Sequence, residues 1–343
     1  MSSAADRLAA HADQTSAKDA LNRALREIAK LKKSRAELAE AVYRAASDCF
    51  SALELAPVAP PKRGAKDGGA EVAVAWLGDL QLGKVTPTYN SKVCEQRIQH
   101  YADKVRSLTD IQRKDHPVSE ARVWMLGDII EGLTIFPGQQ WLVDSSLYRQ
   151  IALDGPRILG NFLRSMLGDF DRVHVTAVIG NHGRLGRTGE YDPESNGDRM
   201  VYRITQQLLE SEKRLTWTIP DGMGERHWYA VDRIGNYSCL LFHGDQFGGK
   251  FQGTLTRLGV QRKVGGWKAG AIPEKFNDVA FGHWHQNYED NVCATIVRCN
   301  GSPESTNTFA QEALAAMSVP FQRLQFVHPK AGRVTAEYKV WLA

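Results

Sequence analysis

Val72-Ala-Val-Ala-Trp-Leu-Gly-Asp-Leu-Gln81 is the stretch on which the fold turns. The apolar run from Val72 to Leu77 has the length and composition of a strand buried on both faces, and Gly78 permits a sharp turn that carries Asp79 beyond the sheet. The same grammar recurs along the chain. Residues 121–126 run into Gly127-Asp128, residues 173–179 into Gly180-Asn181-His182, residues 237–242 into His243-Gly244, and residues 279–281 into Gly282-His283-Trp284-His285. In open α/β sheets, ligands bind in the crevice beyond the carboxyl ends of the strands. A single Gly-Asp turn reads equally well as a helix N-cap, and a lone buried histidine as a satisfied core residue. Five such turns and a His-x-His pair on one rim instead assemble carboxylate, amide and imidazole donors. That set suits divalent Mn, Fe or Zn better than Ca or Mg.

Between these turns the pattern is helical over 91–114 and 146–167, and again near 199–209. The second half is rich in strand patterns, at 227–233, 237–242, 279–281, 293–299, 321–326 and 333–341. Alternating β and α elements followed by many strands predict an α/β domain over 71–343, a sandwich of two sheets with flanking helices. Residues 56–70 hold prolines, glycines and basic residues in a short span and read as a linker. Residues 4–55, without Gly or Pro, read as a helical arm. Leu21, Ile28, Val42 and Cys49 fall on a seven-residue repeat, with Leu31 and Leu38 on the neighbouring seam and Arg35 interrupting the core. A coiled-coil arm that makes a homo-oligomer fits this pattern, and so does an amphipathic helix docked on its own domain.

The bulk numbers exclude little. The chain has 343 residues, 43% apolar and 24% charged, with a net charge of +4 that does not by itself demand a nucleic-acid partner. Five cysteines (Cys49, Cys94, Cys239, Cys293, Cys299) without CxxC spacing argue against a disulfide framework or a thiolate zinc site. No apolar run approaches the roughly 18 residues of a membrane span, and the polar start carries no signal-peptide pattern. A soluble, cytoplasmic protein with reduced thiols is the expectation.

Taken together, the ordered motifs Asp79-Leu-Gln81, Gly127-Asp128-Ile-Ile-Glu131, Gly180-Asn181-His182-Gly183, His243-Gly244 and Gly282-His283-Trp284-His285 resemble those of the calcineurin-like metallophosphoesterases, over about residues 71–301. The resemblance implies four layers, α/β/β/α, with both sheets mixed, and that Asp128 bridges two divalent metal ions. Asp79 and His285 would complete one position, and Asn181, His243 and His283 the other. His182 would face the phosphate as the catalytic acid or charge stabiliser. Two cations roughly 3.5–4 Å apart clamp a phosphate and generate a hydroxide for in-line attack. Mn is the first choice, with Mg, Fe or Zn as alternatives.

Two departures stand out. Gln81 replaces the family's histidine; its amide oxygen is a harder and weaker ligand, which implies a weaker first site or a contact to substrate instead. Gly183 stands where the family has a carboxylate, so a group orienting His182 must come from elsewhere.

For the substrate, Asp79-Leu-Gln-Leu-Gly-Lys84 is similar to the opening motif of double-strand-break repair exonucleases. The stretch between Asp245 and Glu274 contains Lys250, Arg257, Arg262, Lys263 and Lys268, interleaved with Phe247, Phe251 and Trp267, and no acid. Arg184 and Arg187 extend that positive rim. Cations mixed with aromatics suit a nucleic-acid strand held by phosphate contacts and base stacking; a solvated Gly-rich loop is the plain alternative. A phosphodiesterase acting on DNA is therefore the leading expectation. A phosphomonoesterase or small-nucleotide phosphodiesterase is the runner-up, and a non-catalytic scaffold that kept the fold is the reading from another class.

Overall fold

β1 (Glu71–Leu77) is buried along its whole length, as its unbroken apolar run predicts. It pairs in parallel with β2 (Val118–Met125) and antiparallel with β10 (Phe321–His328). With β3 (Arg172–Ala177), β4 (Leu215–Thr218) and β11 (Arg333–Trp341) they form a six-stranded sheet of order β11-β10-β1-β2-β3-β4. A five-stranded sheet of order β5-β6-β7-β9-β8 comprises β5 (Tyr229–Ile234), β6 (Tyr237–Phe242), β7 (Asp278–Phe281), β8 (Glu289–Val292) and β9 (Thr295–Cys299). Both sheets mix parallel and antiparallel pairs.

This computed structural model describes residues 55–61, 69–136, 138–247, 255–306 and 319–343, with scattered positions between 22 and 48. The chain divides into two units, Met1–Ala45 and Ala46–Ala343. In the first, the described positions are helical. The repeat positions Leu21, Ile28, Leu31, Arg35, Leu38 and Cys49 lie outside the described residues, as do linker residues 62–68, Lys250 and Phe251.

Strand alternation builds the layers of the second unit. Val72, Val74 and Trp76 point to one face of β1 and, with Trp124, Leu126 and Val178, meet Ala230, Tyr237, Cys239, Leu241 and Ala280 of the other sheet. The opposite face of the first sheet takes α1 (Ser91–Gln112), which starts where the Asn90 side chain accepts the Val93 N–H. Tyr101 fastens this helix: its hydroxyl accepts the Trp76 N–H at 3.0 Å and donates to the Arg323 carbonyl. The helix expected over 146–167 is a continuous run with one wide turn. A short helix (Leu147–Arg149) and a π turn (Gln150–Asp154) lead into α2 (Gly155–Asp169). α3 (Gly197–Leu208) follows, capped by Asn196.

On the outer face of the second sheet, α4 (Arg257–Gly266) buries Val260 and Val264 against Leu240, Phe242, Val279 and Phe281. Helix, sheet, sheet and helix are thus stacked in that order, the four-layer sandwich anticipated.

Three elements were not anticipated. β4 and β8 are only four residues long, too short to show an alternation. Residues 245–274, read as a charged segment, contain α4, whose glycines hide a helix started by the Thr256 side chain. The strand expected over 293–299 also begins later. Cys293 and Ala294 have φ of 52° and 59° and form the tight turn of the β8–β9 hairpin, as the right-handed strand twist favours. Among the described residues no helix is long and apolar enough to cross a membrane. Cys94, Cys239 and Cys299 are buried free thiols, and Cys293 is exposed.

Candidate metal centre

The strand-end turns hold their polar residues in an uncommon backbone conformation. Asp79 (φ 55°), Gln81 (43°), Asp128 (51°), His283 (67°) and His285 (51°) all occupy the left-handed region. Each costs about 1–3 kcal/mol for a residue with a Cβ and persists only where its surroundings fix it. Here the turns brace one another: the Asp79 N–H donates to the Gly127 carbonyl and the Gln81 N–H to the Asp128 carbonyl, both at 2.9 Å.

A second brace was invisible in the motifs. Asp198, fully buried in the first turn of α3, accepts N–H bonds from Asp128 (2.8 Å), Ile129 (2.9 Å), Ile130 (3.2 Å) and Gly180 (2.8 Å). Burial and the neighbouring Asp128 push its carboxyl up to about 6, against the pull of those amides. Gly180 is required by space, since a Cβ there would lie 2.1 Å from Asp128 Oδ1.

Four donors converge at the position where the resemblance implies the second metal. His243 Nε2 lies 3.0 Å from Asp128 Oδ2, 3.0 Å from Asn181 Oδ1 and 3.2 Å from His283 Nδ1. The Leu126 carbonyl, 2.8 Å from His243 Nδ1, can only accept, so the ring carries its proton there and turns Nε2 inward. A ring nitrogen is then surrounded by a carboxylate oxygen, an amide oxygen and a second ring nitrogen. Only a proton or a metal cation satisfies that set, so these residues fit a metal ion. Among the described residues, Asp128, His243 and His283 are the only His, Cys or carboxylate cluster that could hold one.

The charges agree. Burial favours a neutral His243, but Asp128 outweighs it and raises the imidazole to about 10. Burial likewise works against the Asp128 carboxylate, yet His243, His182 and His283 hold it well below the ordinary carboxylate range. His283, buried beside the His243 charge, falls to about 4.

The first position is differently built. Asp79 Oδ1 lies 3.2 Å from His285 Nε2, and both Asp79 oxygens accept the His283 N–H, at 2.9 and 3.0 Å. His285 Nδ1 lies 3.2 Å from Glu304 Oε2, a residue that no motif had signalled. Burial opposes the His285 charge, but Asp79 and Glu304 raise the ring to about 9. Gln81 Nε2 sits 3.5 Å from His285 Nε2, while its amide oxygen accepts from Lys84 Nζ at 2.8 Å.

His182 stands beside both positions. Its N–H donates to Asp128 Oδ1 at 2.8 Å, and its ring Nε2 is 4.0 Å from Asp128 Oδ2. The carboxylate missing at Gly183 comes from Glu131, whose Oε2 is 3.2 Å from His182 Nδ1. Gly183 itself has no room for a side chain, because a Cβ would lie 2.3 Å from Asn196 Oδ1. Burial favours neutral His182, but Asp128 and Glu131 prevail and raise it to about 9.

Of the residues expected to bind substrate, Arg184 and Lys263 meet at the adjacent residues Asp245 and Gln246. Arg184 pairs with Asp245 at 2.5 Å and Arg257 with Asp290 at 3.0 Å, while Lys263 donates to the Gln246 carbonyl. Arg187 and Arg262 are exposed. Phe247 and Trp267 pack against Phe242 with ring centroids 5.2 and 5.0 Å away. They cap the second sheet's core, so the stacking role read from their spacing is corrected: apolar rings beside a strand find the core first.

Two mixed sheets packed face to face, helices on both outer sides and a donor cluster at the strand ends define a four-layer α/β/β/α sandwich with a candidate metal centre on one rim. No protein-family model and no curated protein matches the chain. Among solved structures, the chain is similar to a hypothetical protein from Pyrococcus horikoshii OT3, at 12% identity over 79% of this chain and 89% of that one, with a TM-score of 0.41. It is also similar to an archaeal phosphodiesterase (8% identity, 78% and 99% covered, TM-score 0.34) and to the phosphoesterase Yfce from E. coli (11%, 78% and 99%, 0.32).

Proposed function

We propose that the protein is a metal-dependent phosphoester hydrolase that cleaves a phosphodiester of nucleic acid. The observation that carries the hydrolase reading is the convergence of Asp128, Asn181, His243 and His283 around one point beside His182. Asp128, Asn181, His243 and His283 would hold a divalent ion, Mn²⁺ being suited to their mixed nitrogen and oxygen donors, which would supply charge neutralisation to the phosphate and acidity to the attacking water. The protein's own residues do the rest. Leu126 and Asp198 fix the donors before any ligand arrives, so little reorganisation accompanies the reaction. His182 Nδ1 faces the Glu131 carbonyl at 3.0 Å and the Glu131 Oε2 at 3.2 Å, which turns Nε2 toward Asp128, where a proton on it is available to a leaving oxygen.

The choice of nucleic acid is supported by two exposed features. Arg262 and Lys263 present exposed cations on α4, which lies in sequence between two of the metal motifs. Trp141, 83% exposed, and Leu142, 53% exposed, lie on a segment joined to the first motif by the Val85 N–H to Leu142 carbonyl bond of 3.0 Å. An exposed indole on a segment tied to the first motif offers a surface on which a base stacks, worth about 1–3 kcal/mol per base.

Incubation with Mn²⁺ and labelled single- and double-stranded DNA is the test. Cleavage is expected, and Trp141→Ala should weaken it about tenfold or more through KM. Absent cleavage with robust hydrolysis of a small phosphomonoester contradicts the nucleic-acid reading and leaves the phosphatase.

A further inference from the structure

We infer that this chain holds a single divalent ion, at Asp128, Asn181, His243 and His283, and that the Lys84 ammonium supplies the second positive charge to the substrate phosphate. The inference rests on the phosphoesterase reading and departs from the two-ion arrangement that the motifs imply.

It starts from Gln81. An amide binds a metal through its oxygen, and the Gln81 oxygen is already the acceptor for Lys84 Nζ, 2.8 Å away. Lys84 is not a passing surface lysine. Its side chain is 15% exposed, and Nζ lies 2.8 Å from Glu304 Oε1, whose own side chain is 2% exposed. The backbone fixes where it starts: Gly83, at φ 104°, makes the turn, the Lys84 N–H donates to the Gln81 carbonyl at 3.0 Å, and Lys84 bridges to Val143.

Glu304 links this cation to the donors of the first position. One oxygen faces Lys84 and the other faces His285 Nδ1, whose Nε2 faces Asp79. Asp79 and His285 therefore face each other beside a Gln81 oxygen already taken by the Lys84 ammonium, so an ion there would find only these two donors and whatever share of the Asp128 carboxylate the second position leaves. The second position has four donors and no fixed cation among them. The same Gln81 amide that accepts from Lys84 has its Nε2 3.5 Å from His285 Nε2, so the ammonium is tied to the edge of the first position, where a phosphate clamped by the centre would present its charge. A lysine held by two partners at the edge of the centre supplies one charge to a phosphate without needing a ligand shell.

Metal content per chain decides the matter without reference to turnover. Full-length protein is dialysed against Mn²⁺, then against buffer, and read by inductively coupled plasma mass spectrometry. The wild type should carry one ion, His243→Ala none and His285→Ala one. The double variant Gln81→His/Lys84→Ala should carry two; a count that stays at one there overturns Lys84 as the excluding group. Two ions in the wild type, or one that survives His243→Ala, overturn the inference and leave metal-dependent hydrolysis standing. No ion in the wild type removes both. If the double variant does not fold, the wild type and the histidine variants still decide the count. Lys84→Met keeps the apolar stem and should lower kcat about 100-fold at an unchanged count of one, with partial recovery in Lys84→Arg. An unchanged kcat in Lys84→Met overturns the catalytic half of the inference.

Discussion

Glu131 shows what a motif conceals at the scale of single residues. It stands in plain sight as the last residue of Gly127-Asp128-Ile-Ile-Glu131, yet its partner is in another motif, and only the fold brings its Oε2 to 3.2 Å from His182 Nδ1. Its negative charge helps raise the His182 pKa to about 9. Glu131→Gln should therefore move the alkaline limb of the kcat profile to lower pH, with kcat reduced about tenfold at pH 8. A profile of unchanged shape in Glu131→Gln would show that the carboxylate does not tune the acid.

The histidines also set a pH dependence for the protein without metal. His182, His243 and His285 rise from 6.5 to about 9, 10 and 9. The folded chain thus keeps protons that the unfolded chain releases above pH 6.5. That stability is whole below pH 6.5 and is lost as pH rises through 9 to 10. Calorimetric unfolding in EDTA should show the midpoint falling over this range. The fall should shrink for His243 once Mn²⁺ is bound, since a ligand nitrogen has already given up its proton. The donors themselves were legible because each sits at the end of an apolar strand. Lys84 and Glu304 were not, since neither spacing nor residue type marks an ion pair 220 residues apart in sequence.

At the scale of elements, α3 matters more to the centre than its sequence suggests. Asp198 stands in its first turn, where an acid looks like an ordinary dipole partner. Its carboxylate instead ties the second and third motif turns together through four N–H bonds. Asp198→Ala leaves those amides without acceptors in a buried place and should cost about 3 kcal/mol or more in urea unfolding, together with lost metal affinity. Asp198→Asn, which keeps one acceptor oxygen, should cost less. Equal stability of Asp198→Ala and wild type would exclude this role. Strands long enough to show alternation or an unbroken apolar run were legible. β4 and β8, at four residues each, and α4, with three glycines in ten residues, owe their form to what they pack against.

For the whole molecule, the layer between the sheets explains why one rim collects the site. Parallel β1, β2 and β3 in one sheet and β6 and β7 in the other end on the same side, because Val74, Trp76 and Trp124 pack face to face with Cys239 and Leu241 and hold the two sheets in register. Trp76→Ala would leave a large cavity in that layer and should destabilise by about 3–5 kcal/mol, read by thermal unfolding, with the centre lost as the sheets loosen. The two-sheet sandwich was legible from strand patterns alone; the substrate surface was not, because Phe247 and Trp267 turn inward and Arg184 and Arg257 are paired with acids. The central claim is metal-dependent phosphoester hydrolysis at Asp128. Its most direct test is turnover of a generic phosphodiester, bis(p-nitrophenyl) phosphate, by chelated protein before and after Mn²⁺ is restored, in wild type and Asp128→Asn. Turnover that appears only with the metal and falls at least about 1,000-fold in Asp128→Asn is the predicted result, and turnover that survives chelation or that substitution would contradict it.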